Sequence, residues 1–216
     1  MKLLKTGIPG LDEFLQGGLP PRVFLLSGPP GSGSDVFARQ VAYSMAKEAG
    51  MTYFTVTRSI DSVKEDMSTY GWQITPLEKA GNWRFAKLIQ AAPLIDTVIG
   101  EMKQNRSVVL DSLSELTLTH KTQEIASLLN AMSAQNREKE ELHLVLMTEG
   151  MQDRKTEVTM EHFADGVIIF KITEGTEVSS KHVMIKKIRG TSVPTRMLPY
   201  SIGEKGFTIE TATRIT

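Results

Sequence analysis

The chain has 216 residues, 40% hydrophobic and 23% charged, enough to bury one substantial core and too few for two independent ones, so a single domain over 1–216 is expected. Twenty-five Lys and Arg balance twenty-five Asp and Glu, and the zero formal charge removes the global basic field that marks many nucleic-acid binders. The absence of cysteine excludes a disulfide framework, a thiol nucleophile and a cysteine zinc site.

The start, Met1 to Gly10, carries Lys2 and Lys5 but no unbroken apolar stretch, and no later run is long enough to cross a bilayer. A cytoplasmic protein with no membrane partner is expected. His120, His143, His162 and His182 show no i, i+4 pairing and read as ordinary core or surface residues, so no metal centre is expected.

Gly7 to Gly18 reads as a short helix with Leu11, Phe14 and Leu15 on one face. After Pro20-Pro21, the apolar run Arg22 to Ser27 reads as a strand, followed by a glycine-rich loop and a helix from Ser34 to Ala49. The alternation continues with a strand at Met51 to Val56, a helix at about Ser62 to Tyr70 and a strand near Trp83 to Leu88. Next come a helix from Pro93, placed as a first-turn proline, to about Gln104, and a strand at Ser107 to Asp111. A helix around Thr122 to Glu138 and a strand at Leu142 to Thr148 complete it, and this rhythm predicts a parallel sheet with helical crossovers.

Beyond about Phe163 helical spacing disappears. Gly166 to Thr173, Glu177 to Ile188, Arg196 to Ile202 and Phe207 to Glu210 read as hairpin strands separated by turns at Glu174-Gly175-Thr176 and Gly206, adding antiparallel strands to one edge. Met45, Met102, Met132 and Met147 fall in helical or strand patterns and read as core fillers. Trp72 and Trp83 read as packing under a connection, and Arg137 to Glu141 as a solvated helix end.

A strand that ends in a glycine-rich loop opening a helix aims backbone N–H groups and the positive helix end at one point, which suits phosphate. The candidate loop is Gly28, Pro29, Pro30, Gly31, Ser32, Gly33, Ser34, Asp35. Against G-x-x-x-x-G-K-[ST] both glycines match, but Ser34 stands where lysine belongs and Asp35 where the metal-side hydroxyl belongs. A lost charge-assisted contact and an added carboxylate together weaken nucleotide binding by about a thousandfold or more. Asp35 is expected to interact instead with the helix start. The bland alternative is a tight strand-to-helix turn with no ligand.

The runs TGIPGLDEFLQGGLPPRVFLLSGPPGSGS, SVVLDSLSEL and KKIRG, in this order across nearly the whole chain, resemble the KaiC-like branch of the RecA/RadA superfamily. The resemblance implies an α/β, RecA-like P-loop NTPase fold with a mostly parallel central sheet flanked by helices and C-terminal antiparallel β-hairpins. It also implies that Asp111 is the acid ending the strand beside the phosphate loop, assisting magnesium, and that Glu149 lies near the cleft; a solvated strand-end acid is the alternative for Glu149. Active relatives carry paired glutamates after the strand following the loop helix, where this chain has Thr57 and Arg58, with Asp61 about three residues late. Without lysine, hydroxyl and water-positioning acid, three parts of phosphoryl transfer are missing.

In hexameric relatives the K-x-R-G segment faces a neighbour's nucleotide; here it is Lys187 to Gly190, so the resemblance implies that Lys187 and Arg189 act in trans. Alternatively Lys181, Lys186, Lys187, Arg189 and Arg196 are edge-strand charges, or phosphate contacts for nucleic acid with Arg22, Lys171 or Arg154. The expectation is an inactivated pseudo-ATPase with no catalytic residue and no cofactor, acting as a regulatory or scaffolding subunit in a homo-oligomer or with a KaiC- or RadA-like paralogue. The alternatives are a divergent ATP-binding recombination or signalling ATPase, with weak Mg-ATP or anion binding and Ser32, Ser34 or a lysine from elsewhere as substitute, and a DNA-binding recombinase-mediator-like protein.

Overall fold

The computed structural model describes residues 2–88, 93–175, 179–191 and 196–210. After a four-residue helix α1 (Leu11–Phe14), the chain alternates β1 (Val23–Gly28), α2 (Ser34–Met45), β2 (Gly50–Thr55), α3 (Ile60–Thr69), α4 (Thr75–Lys79), β3 (Trp83–Lys87), α5 (Leu94–Lys103) and β4 (Arg106–Asp111). It continues through α6 (Leu113–Leu116), α7 (Thr122–Lys139), β5 (His143–Thr148) and α8 (Arg154–Phe163) into β6 (Gly166–Thr173), β7 (Ser180–Ile188), β8 (Leu198–Gly203) and β9 (Gly206–Ile209).

The nine strands form one sheet in the order β3-β2-β4-β5-β1-β6-β7-β8-β9. β3 through β6 in that order run parallel, and β7, β8 and β9 are antiparallel additions. Every residue of β1 is buried, as a strand between β5 and β6 under helices on both faces must be. Val23 and Leu25 face the layer of α5, α7 and α8, with Val98, Met102, Ile125, Leu129 and Met160. Phe24 and Leu26 face the α2 layer, where Phe37 meets the rings of Phe170 and Phe207 edge-on at 5.3 and 5.2 Å. Gln40 on α2 pairs with β9 as a strand would, donating from Nε2 to the Phe207 carbonyl and accepting the Phe207 amide. The amide of Ile209 donates to the Pro9 carbonyl, so the N-terminal segment also covers β9.

The parallel register brings the carboxyl ends of four strands to one rim. Gly28 lies beside Thr148, and Thr55 beside Asp111. In an open α/β sheet this rim is where ligands bind.

Several expectations are corrected. The helix expected over Gly7 to Gly18 contracts to Leu11–Phe14, because Gln16 and Gly17 take positive φ and Asp12 turns back to accept the Thr6 hydroxyl and the amides of Thr6 and Gly7. Pro93 is the residue before α5 rather than in its first turn. α4, α6 and α8 were not foreseen. α8 hides its amphipathicity: its inner face is Thr156, Glu157 and Met160, while Val158 is exposed, so the apolar spacing misleads although Asp153 caps the Thr156 amide. Glu141 is not solvated, since Asn136 folds back to bond its backbone N–H and carbonyl and its side chain is largely covered. Residues 176–178 and 192–195, which belong to the expected hairpin region and include the start of the expected strand Glu177 to Ile188, lie outside the described residues.

Met102, Met132 and Met147 are core residues. Trp83 stacks on Tyr53, and Trp72 on Tyr43 and Tyr70. His143 is fully buried, its Nδ1 accepting the Val108 amide and its Nε2 meeting Asn136 Oδ1. Among the described residues no helix is long and apolar enough to cross a membrane.

Candidate phosphate-loop cleft

Residues Pro29 to Gly33 link β1 to α2, with Gly31 and Gly33 at φ 79° and 78°, a conformation that side chains oppose. The loop is held from the antiparallel extension. The Tyr200 hydroxyl donates to the Ser32 carbonyl and Lys181 Nζ to the Gly31 carbonyl at 2.8 Å. A Cβ on Gly28 would press on Phe170, and one on Gly33 on Ile202. Inside the loop the Ser32 amide donates to the Pro29 carbonyl at 3.1 Å.

The cleft above it encloses about 250 Å³, bordered by the loop, Arg39, Arg58, Asp111, Ser112, Glu115 and the end of β5. Asp35 does not cap α2. Gly33 is the N-cap without a side-chain bond, and the Asp35 carboxylate lies 3.2 Å from Arg39 Nη1 one turn on, because the guanidinium offers a stronger partner than the helix amides.

Arg39 is the centre of the cleft and was not singled out from sequence. It is 2% exposed, and α2 points it across the sheet. Its Nε donates to the Tyr53 hydroxyl at 3.2 Å, Nη1 to Asp66 at 3.1 Å and Nη2 to Asp111 at 3.4 Å. Tyr53 donates in turn to Asp111 Oδ2 at 2.5 Å. Burial opposes charge on Arg39, but Tyr53, Asp35 and Asp111 more than offset this and raise its pKa above the ordinary value. Tyr53 is pushed well above its ordinary pKa by burial and then by Asp111, so it remains a donor. Asp66 also receives Arg58 Nη2 at 2.6 Å.

Across the cleft, Thr57 occupies the position where a glutamate was looked for. Its amide and hydroxyl donate to the two carboxylate oxygens of Glu115, so α6 delivers an acid to the end of β2. The only sequence signal was its place four residues after Asp111. Asp61 is exposed in the first turn of α3 and does not line the cleft, whereas Glu149 follows Thr148 at its edge, its amide donating to the Gly28 carbonyl at 2.9 Å and its side chain exposed.

Lys187 and Arg189 lie at the opposite end of the sheet, since Ile188 pairs with Gly166 while Lys181 pairs with Ile172. Six strand residues separate Lys181 from Lys187, roughly 20 Å. The basic residues expected as one cluster are therefore divided. Lys187 Nζ donates to the carbonyls of Glu161, His162 and Ala164 at 2.9, 2.9 and 2.7 Å, closing the C-terminus of α8. Burial and then Arg189 lower its pKa. Arg189 pairs with the nearly buried Asp165 at 3.0 Å and keeps about half of its side chain in solvent.

A family model described as "ATPase: KaiC" matches residues 4–214. A UPF0273 protein of Thermotoga maritima is 28% identical over 97% of this chain and 96% of its own length. The circadian clock protein KaiC3 of Synechocystis is 27% identical over 95% of this chain, which spans 45% of that protein. The crystal structure of a KaiC-like protein from Pyrococcus horikoshii covers 97% of this chain and 99% of its own with a TM-score of 0.82 at 24% identity, a likeness of fold.

Proposed function

Because the chain belongs to the KaiC family of ATPases, we propose that it is an inactivated member, a pseudo-ATPase that works as a regulatory or scaffolding subunit. The observation that carries this reading is the Arg39–Asp111 contact. The acid at the end of β4 is already engaged by a buried guanidinium and by Tyr53, and Asp35 is held by the same arginine. An incoming triphosphate meets no lysine at Ser34 and a second carboxylate at Asp35, so both attraction and metal coordination are weakened. What remains is a rigid RecA-like body for association with copies of itself or with an intact relative. Arg189, half exposed beside Lys187, is the side chain best placed to reach a neighbour.

Calorimetric titration with Mg-ATP tests this reading. No binding tighter than about 10 μM is expected. Tighter binding, or turnover abolished by Asp111→Asn, would sink it.

Two contacts favour a second reading, a divergent ATPase. Lys181 brings an ammonium to the loop from β7, and Glu115 brings a carboxylate to Thr57, so two missing groups have candidates elsewhere in the chain. The Lys181 ammonium binds a carbonyl and Glu115 is bonded through both oxygens, which ranks this reading second.

A further inference from the structure

The family resemblance implies a divalent cation beside the phosphate loop, and the residues of this cleft do not fit one. Such an ion takes its oxygens from several waters, from the substrate's phosphates and from one or two protein groups whose lone pairs are free to face it. Asp35, Asp66 and Asp111 come from α2, α3 and β4, and each turns an oxygen toward the Arg39 guanidinium at 3.2, 3.1 and 3.4 Å. Asp111 Oδ2 also accepts the Tyr53 proton, and the hydroxyl expected next to the loop is replaced by the Asp35 carboxylate.

We propose that Arg39 is the resident cation of this cleft, a covalently tethered replacement for a divalent ion, and that the order of the four elements meeting there is independent of metal. The guanidinium has the required properties. It stays charged at any working pH, offers five donors in a plane, and is weakly enough hydrated to be buried against carboxylates. It is buried while its acidic partners are partly exposed, so the positive charge sits inside and the negative charges around it. With Arg58 on Asp66, two cations serve three acids; without Arg39 one cation would remain for three. Arg39 thus binds α2 to α3 and β4 through charge and to β2 through a hydrogen bond to the neutral Tyr53 hydroxyl, in the place where a metal ion would otherwise join the loop helix to the end of β4.

The inference goes beyond the loss of catalysis and does not depend on what the loop binds, so its test uses no nucleotide. Thermal unfolding of the full chain is followed in EDTA and with excess magnesium, manganese or calcium. The parent melting temperature is expected not to respond to any of them. Arg39→Leu is expected to lower it by roughly 6 to 12 °C in EDTA and to make it rise with added divalent ion. Arg39→Lys is expected to keep the metal-independent behaviour. The Arg39→Leu, Asp111→Asn double variant is expected to regain stability in EDTA, because removing one acid returns the excess of negative charge to that of the parent; a merely packed arginine would show neither metal response nor charge rescue. If Arg39→Leu alone does not fold, the lysine and double variants decide. A parent protein stabilised by magnesium, or a double variant no more stable than Arg39→Leu, would overturn the proposal, whereas tight Mg-ATP binding with these results intact would overturn only the pseudo-ATPase reading.

Discussion

The hydroxyl of Tyr200 donates to the carbonyl oxygen of Ser32, 168 positions earlier in the chain. Both partners are buried, and burial pushes the Tyr200 pKa up to about 12, so the phenol remains a donor across the pH range in which the protein is handled. The phosphate loop is therefore held in its conformation by β8. Tyr200→Phe leaves the Ser32 carbonyl unsatisfied and is expected to cost about 1 to 3 kcal/mol. Chemical denaturation measures that loss. Hydrogen exchange should locate it, with amides 31–33 exchanging faster while β4 is unchanged. Equal exchange in the two proteins would show that the tyrosine does not restrain the loop.

Lys181 separates the two functional readings. If its ammonium only ties β7 to the Gly31 carbonyl, Lys181→Met loosens the loop slightly and leaves Mg-ATP titrations as flat as those of the parent. If it serves a phosphate, the parent binds ATP and the variant binds about 10- to 100-fold more weakly, the value of a charge-assisted contact of roughly 1.5 to 3 kcal/mol. The first outcome is expected.

Two titrating groups near the end of α7, the buried His143 and the half-buried Glu141, give stability opposing slopes with pH. Burial lowers the His143 pKa from 6.5 to about 3, so the unfolded chain binds the extra proton and stability rises with pH between those values. Burial raises the Glu141 pKa from 4.5 to about 7, so the folded chain binds the extra proton and stability falls as pH rises through that interval. Between pH 4.5 and 6.5 the two cancel in part. Glu141→Gln removes the falling component and is expected to steepen the rise of melting temperature with pH in this window, and to leave the variant more stable than the parent above pH 7. Parallel melting curves for parent and variant would contradict the assignment.

The sheet was readable because buried parallel strands are continuous apolar runs. Val108 to Leu110 and Leu144 to Met147 could hardly be exposed, and helix-length segments between them demand crossovers. α8 was not readable, because its buried face is mostly polar and its exposed face carries Val158. The loop was visible as a local pattern of glycines between a strand and a helix. Its electrostatic surroundings were not, since Arg39, Tyr53, Asp66 and Asp111 come from four elements and meet only through the strand order β2-β4 and the helix packing above it. Arg39 lies between Phe37 and Val41 in a helix whose apolar spacing alone gives no reason to turn a charged residue inward. Lys181 looked like one of several edge lysines; only the antiparallel register puts it at the loop and Lys187 at the far end.

Gln40 occupies the outer side of β9 with a side-chain amide that imitates a tenth strand, and the Pro9 carbonyl takes the next free N–H. A foreign chain cannot extend the sheet there without first displacing these groups. Growth by strand addition is left to β3, where Arg84 and Lys87 stand at the margin. The two margins of the sheet are thereby unequal as starting points for fibrils: one is blocked by the protein's own loop helix, and the other carries long charged side chains, of which Arg84 is paired with Glu101.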